Sequence, residues 1–459
     1  MLINTKKVNV NQLLTAAVLV LITLILYNYD LSQLTYLNIC YIVVVDIIIC
    51  AILFVTTKQA HIGNACFLFW FITTIFSFGQ NVAYIFIYEN PGTYSILYDK
   101  MYSIESMAKG TSFTLLAYNF LSLGLTLCFD SNKVSEKKTY DDKYVGEMEL
   151  VSKVLIAVSV IPQIIYMYSQ TTVFMAYGYG YSATENLPGI VQILRYWFIP
   201  GIIVSYVAKS IGGKRIRLES AVFLVVAVMF LLTGDRGSAL SMLLVLIFLR
   251  NIFKQGKKRT IYIWCVLIVL LIPFVKFFRI AFSGQTSGAL SEAFSEMLAS
   301  NPLIDMLLEL GSTQQIIIMT MRRVATEGFA YGKAYLDFFV KMLPSFVGIQ
   351  TFYPTLAKWV IGTTAYQTKG FSIWGESYLN FGGWGIPFMF VIGRLFQKLL
   401  KVDENSSPLK ISLAAVSLSF FADVSRRSIS EFGFVFLYDI ILPIVAIWVL
   451  SEVHKRKEI

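Results

Sequence analysis

Apolar runs of about 20 residues recur from one end of the chain to the other, and this settles the fold class. Backbone amides inside a bilayer must find partners within their own segment, so such runs cross it as α-helices. A membrane barrel would show short alternating strands instead, and none appear. The runs lie at 12–29, 35–57, 64–88, 110–129, 150–170, 191–208, 219–233, 238–253, 261–281, 383–400, 410–424 and 432–451. The expected fold is therefore all-α, a polytopic transmembrane bundle of about 12 spanning helices. Composition agrees, with 56% hydrophobic and only 14% charged residues. Cys40, Cys50, Cys66, Cys128 and Cys265 all fall inside apolar runs without a CxxC pair, so they read as small buried hydrophobes.

Loop charge orients the bundle. Starting from Lys6 and Lys7 as cytoplasmic, alternate loops hold Lys58, then Lys133–Lys143, Lys209–Arg217, Arg250–Arg259 and Arg394–Lys410, and finally Lys455–Lys457. The intervening short loops carry few basic residues, as the positive-inside bias requires. Much of the net charge of +10 is thus topological. The basic clusters KSIGGKRIR and RNIFKQGKKR belong to these cytoplasmic loops and do not call for nucleic acid. The chain divides into spanning helices 1–9 over 1–282, one large extracytoplasmic loop over 283–382, and helices 10–12 over 383–459. Within the large loop, LSEAFSEMLA and AYLDFFVKML have amphipathic spacing suited to lying flat on the outer leaflet.

The outward side carries the residues that need explaining. The turn LLTGDRGSAL at 231–240 sets Asp235 and Arg236 between two apolar runs. Ions at a membrane edge are costly and mark function more often than chance. Lys276, Arg279, Arg195, Arg426 and Arg427 fall on the same side. A planar guanidinium makes two parallel hydrogen bonds to phosphate and keeps its charge when partly buried. The same arginines would also serve as anchors that snorkel to lipid headgroups. Glu376 stands in a Gly-flanked turn before a helix. A carboxylate there suits a general base, a helix cap or an arginine partner. Glu431, four residues after Arg427, has the spacing of a helix-surface ion pair as well as that of a site residue. His61 and His454 are both on the cytoplasmic side, so a base acting outside must be a carboxylate. Walker, dinucleotide-binding and zinc signatures are absent, and the outward carboxylates are dispersed, so neither a cofactor nor a metal is expected.

Three stretches taken together resemble the Wzy-type O-antigen polymerases, polytopic bacterial enzymes that polymerise oligosaccharide repeat units. They are TGDRGSAL at 233–240; ELGSTQQ at 309–315 followed by FAYGKAYLDFF at 329–339; and GESYLNFGGWG at 375–385 with SRRS at 425–428. The resemblance covers roughly Leu231–Ser430. It implies a GT-C-like, metal-independent glycosyltransferase at the outer face of the cytoplasmic membrane. A growing glycan would pass from undecaprenyl pyrophosphate to a sugar hydroxyl on a new lipid-linked repeat unit. Arg236 and Glu376 would be the catalytic pair. Arg279, Arg426, Arg427, Asp235, Glu431 and Tyr378 would contact substrate. Membrane lipid is the expected surrounding, and the resemblance leaves room for a chain-length regulator as protein partner. The alternatives are a flippase for lipid-linked oligosaccharide and an O-antigen ligase. A flippase would bury charge near the midplane and show repeated halves, and a ligase usually has an outward histidine.

Overall fold

The computed structural model describes residues 10–89, 101–127, 142–177, 189–254, 263, 301–343, 348–361 and 370–456, apart from Gly234, Pro354, Glu404 and Asp423. Among the described residues the structure is helical, with no strand. The first group is α1 (Val10–Asn28), α2 (Tyr36–Thr56), α3 (Ala65–Ile87), α4 (Ile104–Thr126) and α5 (Asp142–Tyr177). Next come α6 (Gly189–Arg195), α7 (Phe198–Ile211), α8 (Arg217–Leu232) and α9 (Arg236–Ile252). The remainder holds α10 (Pro302–Leu310), α11 (Gln314–Glu327), α12 (Lys333–Met342), α13 (Leu356–Ile361), α14 (Ile373–Phe381), α15 (Gly385–Leu400), α16 (Pro408–Phe421) and α17 (Leu442–Arg456). Short polar side chains start many of them. Thr35, Asn64, Ser103, Asp235, Asn301, Ser372 and Ser407 each accept a hydrogen bond from an amide of the first turn.

By length and composition, 7 helical stretches among the described residues suffice to cross a membrane: Tyr36–Thr56, Ala65–Ile87, Lys143–Val173, Gly189–Ile211, Ile373–Leu400, Pro408–Arg426 and Ile429–Val449. The expected runs at 12–29 and 238–253 form shorter apolar helices, Leu13–Asn28 and Gly237–Ile252. The run at 219–233 is the 16-residue α8. The run at 110–129 is α4, which is less apolar for a packing reason. Its Thr111, Thr114, Asn119, Ser122 and Thr126 all face the bundle interior and are buried. Asn119 donates to Asp46 Oδ1 at 3.0 Å and to Thr23 Oγ1 at 3.2 Å, and accepts from Cys50 Sγ at 3.2 Å, tying α1, α2 and α4 together. Apart from Ile263, the run at 261–281, with Lys276 and Arg279, lies outside the described residues, as do LSEAFSEMLA, Cys128 and Cys265.

Two glycine crossings set the frame. Helices α4 and α15 approach so closely that a Cβ on Gly124 would overlap the backbone at Phe390 and Gly393, and one on Gly393 would come 3.0 Å from Gly124 Cα. Small residues allow this approach where no hydrophobic force separates helix from lipid. Gln397 Nε2 then donates to Leu125 O at 2.6 Å and Arg394 donates to Leu127 O, so α15 takes up carbonyls at the end of α4. The second crossing joins Gly79 of α3 to Gly311, between α10 and α11, where a Cβ on Gly311 would come 2.8 Å from Gly79 Cα. Gln80 Nε2 adds a bond to Leu308 O at 3.0 Å. The segment α10–α11 is therefore packed into the bundle against α3 and α4, with Leu308, Leu310, Ile317 and Ile318 buried, and does not simply rest on a lipid surface. Helix α12 keeps the amphipathic character expected of AYLDFFVKML, with Ala334 and Asp337 buried and Leu336 and Phe339 exposed.

These crossings leave no space for side chains. Gly393→Leu is expected to lower the detergent melting temperature strongly or prevent accumulation, since overpacking costs about 1–3 kcal/mol and here the clash is with backbone. Gly146→Ala in α5, which has open space around it, should melt at or slightly above the wild-type temperature. Thermal unfolding of the two purified variants compares them directly.

Candidate functional site

A cavity of about 120 Å³ opens where α6 ends, α9 begins and the segment after α16 returns. Arg195, Asp235 and Arg427 line it together with Gln163, Tyr166 and Ser238. Asp235 is there because it caps α9. Its Oδ1 accepts from the Ser238 amide at 3.1 Å and its Oδ2 from the Ser238 hydroxyl at 2.6 Å. That fixes the first turn of α9, on which Arg236 is the first helical residue. A helix N-terminus so presented favours an anion.

Arg195 is held by aromatic rings. Its guanidinium carbon lies 3.7 Å from the Tyr166 ring centroid and 4.1 Å from that of Tyr196. Cation–π contact on these rings fixes the plane of the group. Asp439, wholly buried, is its electrostatic neighbour. Asp439 sits in a π-helical turn, Phe436–Ile441, anchored by Trp197 Nε1 donating to Tyr438 O at 3.0 Å. Single π turns recur at functional sites because they re-aim side chains out of helical register.

Arg427 reaches the cavity from a segment that is itself clamped. Glu376 of α14 is 0% exposed. Its Oε2 accepts from the Ile429 amide at 2.5 Å and its Oε1 from the Ser430 amide at 3.0 Å. Gly370 lies against the Arg426 carbonyl, and Gly433 against the Phe338 carbonyl, with no room for a Cβ at either place. The chain uses the same device once more: Asp337, also wholly buried, accepts from the Phe352 and Tyr353 amides at 2.8 and 2.7 Å. Beside the first clamp, burial and the neighbouring Glu376 push the Tyr335 phenol well above its ordinary range, so it stays protonated.

The expected site residues therefore separate. Asp235 and Arg427 share the cavity, with Arg236 one residue from Asp235. Arg426 is half-buried, its guanidinium carbon 5.3 Å from the Phe76 ring centroid. Glu431 is half-buried in the 3₁₀ turn Ile429–Phe432. Tyr378 lines a different cavity of about 440 Å³, with Asp30, Lys109 and Met321. Residues two apart on a helix point to different sides, which is why Tyr378 and Glu376 part company. Glu376 contacts the backbone of the 429–430 segment with both oxygens. Arg279 is outside the described residues. Tyr166 and Gln163 were hidden inside an apolar run, where only their polarity sets them apart. Among the described residues, no three His, Cys, Asp or Glu side chains converge as a metal site would require.

No curated protein and no solved structure matches the chain. A family model described as O-antigen polysaccharide polymerase Wzy matches residues 12–458, nearly its whole length, and the protein belongs to that family.

Proposed function

We propose that the protein extends a lipid-linked glycan at the outer face of the bacterial cytoplasmic membrane, with polyprenyl pyrophosphate as the leaving group. The observation that carries this reading is the cavity that gathers Arg195, Arg427 and the first turn of α9 in one place. In the reaction the bond from the anomeric carbon to the phosphate oxygen of the donor breaks. A bond forms from that carbon to an acceptor sugar hydroxyl, whose proton passes to water or to the departing pyrophosphate. The electron pair leaves on the pyrophosphate, and the donor phosphate ester supplies the driving force without a nucleotide. Fixed guanidinium groups stabilise the developing charge without reorganising, which is where electrostatic catalysis gains most.

Arg195 and Arg427 hold the pyrophosphate in this reading, and α9, whose first residue is Arg236, begins beside them. Arg426 is a further anion ligand in this reading, as is Arg279 by the family resemblance, and Asp235 sets the α9 turn. Glu376 is a positioning residue that holds the segment bearing Arg427, and Glu431 belongs to the same segment. Tyr378 offers its ring to sugar in the neighbouring cavity. The large loop is supported by the spacing of the apolar runs, the GT-C-like architecture by the family resemblance, and the outward assignment by loop charge.

Loss of the protein from cells provides the test. The expected result is a carrier lipid and surface glycan bearing one repeat unit, with the ladder of longer products restored by the wild-type chain. A repeat unit trapped on the cytoplasmic side would mean transport, and long glycan retained on the carrier lipid would mean ligation.

A further inference from the structure

An apolar groove of about 650 Å³ lies between α5 and α8. Its walls include Ile164, Met167, Phe198, Val222, Val225 and Met229. It touches the arginine cavity. Gln163, only 7% exposed, lines both. On each wall, consecutive residues divide between the two spaces. Tyr166 faces the cavity and Met167 the groove; Ile199 the cavity and Phe198 the groove; Phe230 the cavity and Met229 the groove. Along α8 the groove runs from Leu218 to Met229, about 16 Å of helix axis.

We propose that this groove holds the prenyl chain of a lipid-linked substrate whose pyrophosphate occupies the arginine cavity. The proposal rests on the polymerase reading above and adds the lipid subsite. An apolar slot open at the surface of a membrane helix accepts any hydrocarbon. A slot joined at its wall to two arginines selects a hydrocarbon that ends in an anion. Gln163 stands at the change from one medium to the other, where a polar side chain can reach the first phosphate while its methylenes meet the chain. Val225 is 62% exposed, so its side chain forms the rim of the groove and not part of the packed core. Binding of the chain here would place the scissile phosphate without help from the sugar, and the site would read the carrier before it read the glycan. Contacts far from the reacting bond are where an enzyme gains orientation.

The experiment compares Val225→Trp, which fills the groove, with Val228→Trp, which places the same ring on the exposed side of α8 outside it. The purified full-length chain in nanodiscs is given a repeat unit on either a full-length polyprenyl or a two-isoprene pyrophosphate. The expected result is a KM raised at least about tenfold for the long carrier in Val225→Trp alone, with the short carrier unchanged. A binding readout accompanies it. Undecaprenyl pyrophosphate bearing no sugar should protect Val225→Cys from a maleimide, whereas a phospholipid of equal charge should not. If the wild-type chain uses long and short carriers with equal KM and the cysteine is unprotected, the groove proposal fails while polymerisation stands. Protection by phospholipid as well would make the groove an ordinary lipid seat and also overturn it. If the wild-type chain extends neither carrier, the polymerase reading itself fails.

Discussion

Arg427→Ala is expected to insert and accumulate as the wild type and to lose polymer formation by about 10²–10³-fold, the loss typical when one preorganised donor to a developing anion is removed. Arg427 is exposed and lines the cavity, so truncating it leaves no hole in the core. Lysine at this position keeps the charge but not the two-pronged geometry, and should recover only a small part of the rate. Arg195→Ala needs a control, because Asp439 would be left buried without its cationic neighbour. A buried carboxyl that loses a favourable electrostatic neighbour destabilises the fold. The double variant Arg195→Ala/Asp439→Asn removes that burden. Protein level and melting temperature should recover in the double variant while polymer length does not. If product returns along with the protein, Arg195 serves only to neutralise Asp439 and has no part in holding substrate.

Glu376→Gln is expected to lower the rate about 10–100-fold with the pH–rate profile unchanged in shape. The amide keeps one acceptor oxygen and presents an N–H₂ group to the second backbone amide, so one charge-assisted bond is lost and a donor faces a donor. Leaving a buried donor unsatisfied costs about 1–3 kcal/mol. The cost falls on the segment that carries Arg426 and Arg427. A base would behave differently: its removal would abolish the limb of the profile in which rate rises with pH. Loss of that limb in Glu376→Gln would return Glu376 to the role its sequence context suggests.

The two readings of Glu376 show where sequence reasoning stops. A carboxylate in GESYLNFGGWG suits a base, a helix cap or an arginine partner equally. The partners that take it up, Ile429 and Ser430, lie more than fifty residues away and offer backbone amides, which every residue has. Side-chain identity carries no trace of such a bond. Arg195 shows the reverse. Loop charge gives only an expected side of the membrane for it, whereas its fixing by Tyr166 links the end of α6 to the neighbouring α5. Tyr166 is one aromatic among many in an apolar run.

The helices were far more legible, because lipid demands a local property, a long apolar stretch, and that is written residue by residue. The run at 35–57 is α2 almost to its ends. Helix α4 is harder to read because it is surrounded by protein. Thr114, Asn119 and Ser122 are buried against other helices, so the hydropathy that lipid would impose is relaxed. The packing of α10 and α11 against α3 was not legible at all. It depends on Gly79 meeting Gly311, two glycines in separate parts of the chain whose pairing no periodicity announces.

In the proposed function this chain itself joins repeat units. The most direct test uses the purified protein in proteoliposomes with a single synthetic lipid-linked repeat unit and no other enzyme. Products are resolved by length, and free polyprenyl pyrophosphate is measured in parallel. The expected products are a ladder of glycans on the carrier and one equivalent of polyprenyl pyrophosphate released for each unit joined, with both all but lost in Arg427→Ala. Repeat units that cross the bilayer and stay single, with no pyrophosphate released by a folded wild-type chain, would contradict that function.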